Sequence, residues 1–458
     1  MRKLIEFQIL DTNALYYGID LSKLMDNAGA IIANYIIQNH KNNVKIAVVC
    51  GSGNNGGDGY VASSLLIAEG FDLTVFQSSI PTSTIAKNKY AQLEEDVKNI
   101  SELGAHKNQT DLLVDCLLGS GIQGSPRFPY DKYIEVMNSF ENIISVDVPS
   151  GIGSECTVIP NVTITFHDYK EGMNEENSGT IVLRDVGFPE NVDKRTGPGE
   201  LLLYPEFEKG KHKGQNGKVA IIGGGPYSGA PALAALGAYR AGIDLVHVFV
   251  PDISYDHVSS FIPELIVHSL PGDVFTEEHL DFVLNKISEF DAVVIGPGIG
   301  KQKETLKAVV ELARNCDNLV LDADAIFDFD FGRKNILLTP HRGELNRLIP
   351  DSELDNLLRY ASERGVTLLV KGEVDLITDG NFLKTNSSGH PRMTVGGTGD
   401  VLSGVCGGLI ARGLTPFEAA RLGAYSLGKA GETCYEKIGS GFLPTDLALF
   451  LSKVLRKA

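Results

Sequence analysis

The chain has 458 residues, 43% hydrophobic and 22% charged, a globular balance with length for two or three domains and nothing of a disordered chain. Its 41 basic and 58 acidic residues leave a formal charge of −17, which argues against nucleic acid or an anionic membrane surface as partner. Six cysteines without a CxxC pair read as separate thiols of a reducing compartment; with no secretory pattern and no apolar run of about 18–20 residues, a soluble cytoplasmic protein is expected.

Residues 21–37 place Leu21, Leu24, Met25, Ala28, Ile32, Tyr35 and Ile36 on one face, which predicts a core-facing helix. Short apolar runs follow at 44–50, 111–115, 142–147, 162–166 and 180–186, each closed by a polar or glycine-bearing stretch, with a helical stretch at 59–70. Such runs, alternating with helices, predict buried parallel strands in an α/β sheet. The charged, non-periodic segment 207–218 predicts a boundary, giving domains 1–207 and 208–458. The rhythm then restarts with runs at 218–222, 244–250, 291–295, 318–322, 335–339 and 366–371, and helices at 231–242 and 401–413. The fold class is therefore α/β, in two domains, the second larger.

Ligands of open parallel sheets lie beyond the carboxyl ends of the strands. GSGNNGGDG (51–59) follows such a strand. It reads as a strand-to-helix turn whose amides approach an anion, or simply as a tight turn; it matches neither a Walker A loop nor GxGxxG. Asp115 and Asp147 each close an apolar run. Either alone reads equally well as a loop cap, but with Asn55 and Ser150 they offer oxygen donors suited to a hard cation.

In the second half, GGTGD (396–400) precedes a glycine-rich helix. Amides at that turn can meet phosphoryl charge, and Asp400 can take a proton from an attacking hydroxyl; the alternative is that Asp400 caps the helix. His341 in LTPHRGE and Lys371 in KGEVD follow strands; a lone histidine reads first as structural, and Lys371 reads equally as a phosphate contact or as a solvated turn lysine. Asp322 and Asp324 in LDADA read as metal-facing or as loop caps.

LMDNAG (24–29), GNNGGDG (53–59), VDVPSGI (146–152) and TF…K…G (165–172) together resemble the NAD(P)H-hydrate epimerase domain over most of 1–205. The resemblance implies a Rossmann-like fold acting on hydrated NADH or NADPH. By it, Asn54, Asn55, Gly56, Gly57 and Asp58 line the dinucleotide, as do Gly119, Ser120, Gly121, Ile122, Gln123, Gly124 and Ser125, with Tyr130 a further contact. Asn55, Asp115 and Ser150 would hold a potassium ion, and Asp147 would face the substrate and do acid–base work. The loop from Ser154 to Pro160 is shorter than the family pattern.

YSGAP (227–231), GPGIG (296–300), LDADA (321–325), LTPHRGE (338–344) and GGTGD resemble, in order, the ADP/ATP-dependent NAD(P)H-hydrate dehydratase domain, of ribokinase-like fold, over about 212–450. By that resemblance Ala230, Gly298, His341 and Asp400 contact the hydrated dinucleotide, Lys371, Gly372, Glu373, Val374, Asp375 and Gly399 contact the adenine nucleotide, and magnesium accompanies ADP. RAGID (240–244) departs from the family's small-residue run. Together the halves imply a bifunctional repair enzyme. One domain interconverts the R and S hydrates; the other restores the S form by phosphorylating its hydroxyl from ADP and eliminating phosphate. The alternative is a ribokinase-like small-molecule kinase fused to a non-catalytic Rossmann-like binding module. The expected partners are small molecules only. Family members often form homo-oligomers.

Overall fold

The computed structural model describes residues 1–121, 124–332 and 335–456. The chain divides into two units, Met1–Asp193 and Lys194–Ala458. In the first, the apolar runs become strands β1 (Ile46–Cys50), β4 (Leu112–Cys116), β5 (Ile143–Val146), β6 (Val162–Phe166) and β7 (Thr180–Arg184), joined by β2 (Leu73–Gln77) and β3 (Val97–Asn99). They form one sheet in the order β3-β2-β1-β4-β5-β6-β7, parallel throughout. Alternate residues serve two cores: Val48 and Val114 pack on one face, Ala47, Val49 and Leu113 on the other. Burial on both faces is why these strands read as unbroken apolar runs.

The second unit holds β8 (Lys218–Ile222), β9 (Leu245–Pro251), β10 (Ile266–Leu270), β11 (Ala292–Ile295), β12 (Asn318–Leu321), β13 (Asn335–Leu338), β14 (Val366–Val370), β15 (Asp375–Thr378) and β16 (Leu383–Asn386). Their order is β10-β9-β8-β11-β12-β13-β14-β15-β16. The sheet is parallel as far as β14, and β15 and β16 add an antiparallel edge. Val219 and Ile221 face one core, Ala220 and Ile222 the other.

Two expectations need correction. The helix placed at 59–70 runs Asn54–Ala68, so only the start of GSGNNGGDG is a turn. Its later glycines lie inside the helix because side chains there would collide: Gly57 abuts Met25, and Gly59 abuts Cys50 and Cys116. The boundary falls before Lys194, not at 207/208. Residues 194–207 belong to the second unit because they are tied into it. Thr196 hydrogen-bonds the Thr385 carbonyl and the Asn386 side chain, the Tyr204 hydroxyl donates to Ala241, and buried Glu200 pairs with buried Arg421 at 3.2 Å. The departure at 240–244 has a local use: the Asp244 carboxylate accepts the Gly214 and Asn216 amides and closes that turn.

Two helices of the second unit, Ala230–Arg240 and Thr398–Ala411, press together because glycine allows it. A side chain on Gly237 would strike the Val401 carbonyl, and one on Gly404 the Ala234 carbonyl. This contact fixes the amino end of Thr398–Ala411, where Asp400 sits.

Candidate active sites

The first sheet reverses its order between β1 and β4, where open α/β sheets leave a crevice. A cavity of about 670 Å³ occupies it. Its walls include Asn54, Asn55 and Asp58 after β1, Gly119 to Gly121 after β4, Asp147 after β5, and Lys170 after β6. The N-terminal helix, Leu4–Tyr16, contributes Phe7 and Asp11.

Asp147 has φ 67°, a left-handed conformation that non-glycine residues adopt only where the surroundings impose it. Its Oδ1 lies 2.7 Å from Lys170 Nζ, and its Oδ2 accepts the Ser120 amide at 3.0 Å. Lys170 is wholly buried, and its ammonium also donates to Thr165 Oγ1 and to the Phe166 carbonyl. Burial by itself would raise the Asp147 pKa, but the lysine outweighs it and holds the carboxyl below its usual range. Two neighbours behave oppositely. Asp11 is solvent-exposed at the rim of the cavity, yet partial loss of water there, and then repulsion from Asp147, push its carboxyl up to about 6. Asp58 is raised well above its usual value by burial and by Asp147 and Asp11.

Beneath this wall Asp115 is fully buried. Its carboxylate accepts from Ser145 Oγ, Ser150 Oγ, the Ser150 amide and the Leu117 amide, at 2.6 to 3.1 Å. Burial raises its pKa, and these bonds oppose the rise. Asn55 is buried too, yet neither its Oδ1 nor its Nδ2 has a hydrogen-bond partner among the described residues. A side chain on Gly119 would crowd both Asn55 and Asp147 Oδ2, so that glycine lets the two converge.

In the second unit Asp400 stands in the first turn of Thr398–Ala411, whose N-cap is Gly397 at φ 98°. Asp400 is therefore inside the helix, and the capping alternative does not describe it. Its pKa is pushed up to about 7 by burial, then by Asp322 and Glu344, with Lys371 opposing them. Lys371 Nζ lies 2.8 Å from Asp322 Oδ1, which also accepts from Thr339 Oγ1. A side chain on Gly399 would sit 3.2 Å from that ammonium, so Lys371 lies against the glycine turn. Burial tends to lower the Lys371 pKa, but Asp322 and Glu344 raise it overall.

The structure gathers some of the expected residues and separates others. Asn54, Asn55, Asp58, Gly119, Ser120, Gly121, Tyr130 and Asp147 share the cavity wall. Gly56 and Gly57 are buried against Gly51 and Met25 instead. Gly124 and Ser125 are exposed beyond the wall, and Ile122 and Gln123 lie outside the described residues. Lys371, Gly399 and Asp400 come together. His341 is mostly exposed and caps the short helix Arg342–Leu345, its Nδ1 accepting the Glu344 amide, while its backbone bridges Lys371. Gly372, Glu373 and Val374 are exposed on the turn to β15, and Asp375 closes that turn by accepting the Gly372 amide. Ala230 and Gly298 sit where the second sheet reverses its order, between β8 and β11; a side chain on Gly298 would strike the Tyr227 carbonyl. Asp324 engages Lys301 and Arg347. Sequence reasoning assigned no role to Asp11, Lys170 or Glu344. Lys170 is the lysine of the TF…K…G block, and that was its one signal.

Fold and sites define a two-unit α/β enzyme, a Rossmann-ordered sheet followed by a larger sheet with an antiparallel edge. The family model for NAD(P)H-hydrate dehydratase matches residues 219–453, and that for the YjeF-related protein N-terminus matches 21–172. The bifunctional NAD(P)H-hydrate repair enzyme of Archaeoglobus fulgidus is 37% identical over 96% of each chain. That of Methanothermobacter thermautotrophicus is 36% identical over 99% of this chain and 95% of its own. Among solved structures, a ribokinase-like superfamily protein of Enterococcus faecalis aligns with TM-score 0.52 at 23% identity, over 57% of this chain and 95% of its own. The ADP/ATP-dependent NAD(P)H-hydrate dehydratase of Bacillus subtilis, co-crystallized with ATP/Mg2+, gives 0.50 at 22%, over 56% and 95%. The chain belongs to the bifunctional NAD(P)H-hydrate repair enzyme family, its first unit the epimerase domain and its second the dehydratase domain. The reading as a kinase fused to a non-catalytic module is set aside.

Proposed function

We propose that the cavity of the first unit interconverts the R and S hydrates of NADH and NADPH, with Asp147 moving the proton. The observation that carries this reading is the Asp147–Lys170 pair at 2.7 Å, which keeps a carboxylate ionised at the crevice and ready to take a proton. Asn54, Asn55 and Gly119 to Gly121 line the dinucleotide, and Tyr130 flanks it. Asn55, Asp115 and Ser150 supply amide, carboxylate and hydroxyl oxygens, a donor set of one formal charge that suits a potassium ion, and the unpartnered Asn55 Oδ1 supports it. Potassium bound there would screen charge on the substrate.

In the second unit Asp400 takes the proton of the S-hydrate hydroxyl as that oxygen attacks the terminal phosphate of ADP. The amides of Gly397 to Gly399 and the Lys371 ammonium face the charge that develops. Magnesium would neutralise the nucleotide phosphates, and Asp322 is the carboxylate beside Lys371 that would help to hold it. Phosphate, a far better leaving group than hydroxide, then departs with the ring nitrogen's electron pair assisting, and loss of a proton from the neighbouring ring carbon restores the dihydronicotinamide. His341, Ala230 and Gly298 are assigned to the hydrated dinucleotide, and Gly372 to Asp375 to the adenine nucleotide. The six free cysteines support a cytoplasmic setting.

The test is incubation of the purified chain with mixed hydrated NADH epimers, with and without ADP and magnesium. Without nucleotide the epimers should re-equilibrate while dihydronicotinamide absorbance stays flat. With ADP the absorbance should recover for the whole mixture. Recovery of only the S fraction would overturn the epimerase assignment, and a stable phosphorylated product would overturn the elimination step.

A further inference from the structure

We propose that Asp11, on the N-terminal helix, is the second proton-transferring group of the epimerase cavity and works opposite Asp147. The inference rests on the reading of that cavity as the epimerase site. It names a residue outside the 21–172 segment that the family model covers.

Leu4–Tyr16 is a helix of 13 residues. Ile9, Leu10 and Ala14 bury its inner side, and Phe7, Gln8, Leu10, Asp11 and Thr12 reach the cavity wall. Asp11, itself exposed, therefore stands on the rim of the same space that Asp147 opens into from the end of β5. The charged groups facing it come from three other elements: Asp147, Lys170 with His167 beyond β6, and Asp58 in the helix after β1. Lys170 engages Asp147 directly. No hydrogen bond or ion pair occupies the Asp11 carboxyl among the described residues, so it remains available to a ligand.

The chemistry has a use for two such groups. Hydration places a hydroxyl on the ring carbon next to the ring nitrogen, a hemiaminal. To invert that carbon, a bond to it must break and re-form on the opposite face. Asp147 takes the hydroxyl proton, and the oxygen pair forms the carbonyl. The carbon–nitrogen pair goes to nitrogen, which takes a proton from Asp11. After the aldehyde turns, nitrogen attacks its other face, Asp11 recovers its proton and Asp147 returns its own to oxygen. Nothing is oxidised, reduced or consumed. Two carboxyls whose surroundings drive their affinities apart are the expected form of an acid–base pair, and here Asp147 is held ionised while Asp11 is raised to about 6.

The test uses the full chain with Asp11→Asn, Asp11→Glu and, in parallel, Asp147→Asn. Epimer ratios are followed by chromatography from pH 5 to 9, and dehydration of the S hydrate serves as the control. Asp11→Asn should lower the epimerisation kcat by about 100-fold or more with KM changed only about threefold or less. It should also abolish the fall in rate that the wild type shows as pH rises through about 6. Asp11→Glu, which keeps the acid, should recover at least about tenfold of that loss. A near-normal kcat in Asp11→Asn, a loss confined to KM, or no rescue by glutamate would each overturn the proposal. If Asp147→Asn is inactive while Asp11→Asn is not, only this inference fails; if Asp147→Asn also turns over normally, the reading of the cavity fails with it.

Discussion

Each unit puts a carboxylate and a lysine at the carboxyl edge of its sheet, yet the two sets are wired differently. In the first, Lys170 pairs directly with Asp147 and lowers its proton affinity. In the second, Lys371 spends its hydrogen bond on Asp322, and Asp400 is left among Asp322 and Glu344 with a pKa raised to about 7. The same two residue types therefore yield a carboxylate ionised throughout the physiological range and another poised to titrate within it. What decides is which carboxylate the buried ammonium touches. The difference suits the tasks: an epimerase exchanges protons with no net change, whereas a phosphoryl acceptor must lose one as it attacks.

The largest effects should come from removing each carboxylate. Asp147→Asn should cut epimerisation, and Asp400→Asn should cut dehydration of the S hydrate, each by about 100- to 10,000-fold. Each variant should keep the other activity. Separate assays of the two activities on each protein would check this, and a loss of both by either variant would break the assignment of one carboxylate to one reaction.

Next in size is the join between the units. A fragment starting at Lys194 should fold and dehydrate the S hydrate, whereas one starting at residue 208 should be less stable by about 3–5 kcal/mol, the usual cost of removing one partner of a buried ion pair. The reason is that Glu200, which the shorter fragment lacks, faces Arg421 with both side chains buried. Thermal unfolding of the two fragments gives the answer, and equal stability would return the boundary to 207/208.

That boundary shows where the sequence was legible. Strands such as β1 and β4 are buried on both faces and declare themselves as continuous apolar runs. β3, three residues reading VKN, is an edge strand and the β15–β16 hairpin closes the edge of the other sheet, neither with such a run; they went unseen, as did β2 and β10. Segment 194–207 owes its allegiance to side chains nearly 200 residues away in sequence, which no local pattern records. At the sites, Asp147 and Lys371 follow strands and Asp400 follows a glycine-rich turn at the start of a helix, and each could be singled out by that context. Lys170 follows β6 and carried only the signal of its sequence block, and Asp11, a carboxylate on a helix, carried none; both gain their meaning only when the fold turns them into one cavity.

A smaller effect tests the wiring itself. Lys371→Met removes the one cation among the described residues that lowers the Asp400 pKa, so the carboxyl should hold its proton to higher pH. Asp400 must be ionised to accept a proton, so the dehydration rate should rise with pH through about 7 in the wild type. In the variant, at saturating nucleotide, that rise should move toward alkaline pH by about one unit, equivalent to about 1.4 kcal/mol. Asp322→Asn should move it the other way. A midpoint indifferent to both changes would mean that burial alone sets the Asp400 pKa.

The smallest effect concerns stability. A carboxyl at about 7 in the fold is well above its ordinary 3.8, so folding favours the protonated form. Below 3.8 both states are protonated and the group costs nothing. Between 3.8 and about 7 the unfolded chain gives up its proton while the fold keeps it, and the cost of folding grows with pH. Above about 7 the cost is complete. Asp400→Asn removes the titration without changing size, so the dehydratase unit should gain about 0.5–2 kcal/mol at pH 8 and less at pH 5. No comparable gain should follow Asp147→Asn, because its carboxylate is stabilised by Lys170; that change leaves a buried ammonium without its partner and should destabilise the first unit instead. Unfolding curves for both variants at the two pH values decide the matter. If Asp400→Asn were destabilising at both, the carboxylate would be a satisfied structural group, and the contrast between the two wirings would be lost.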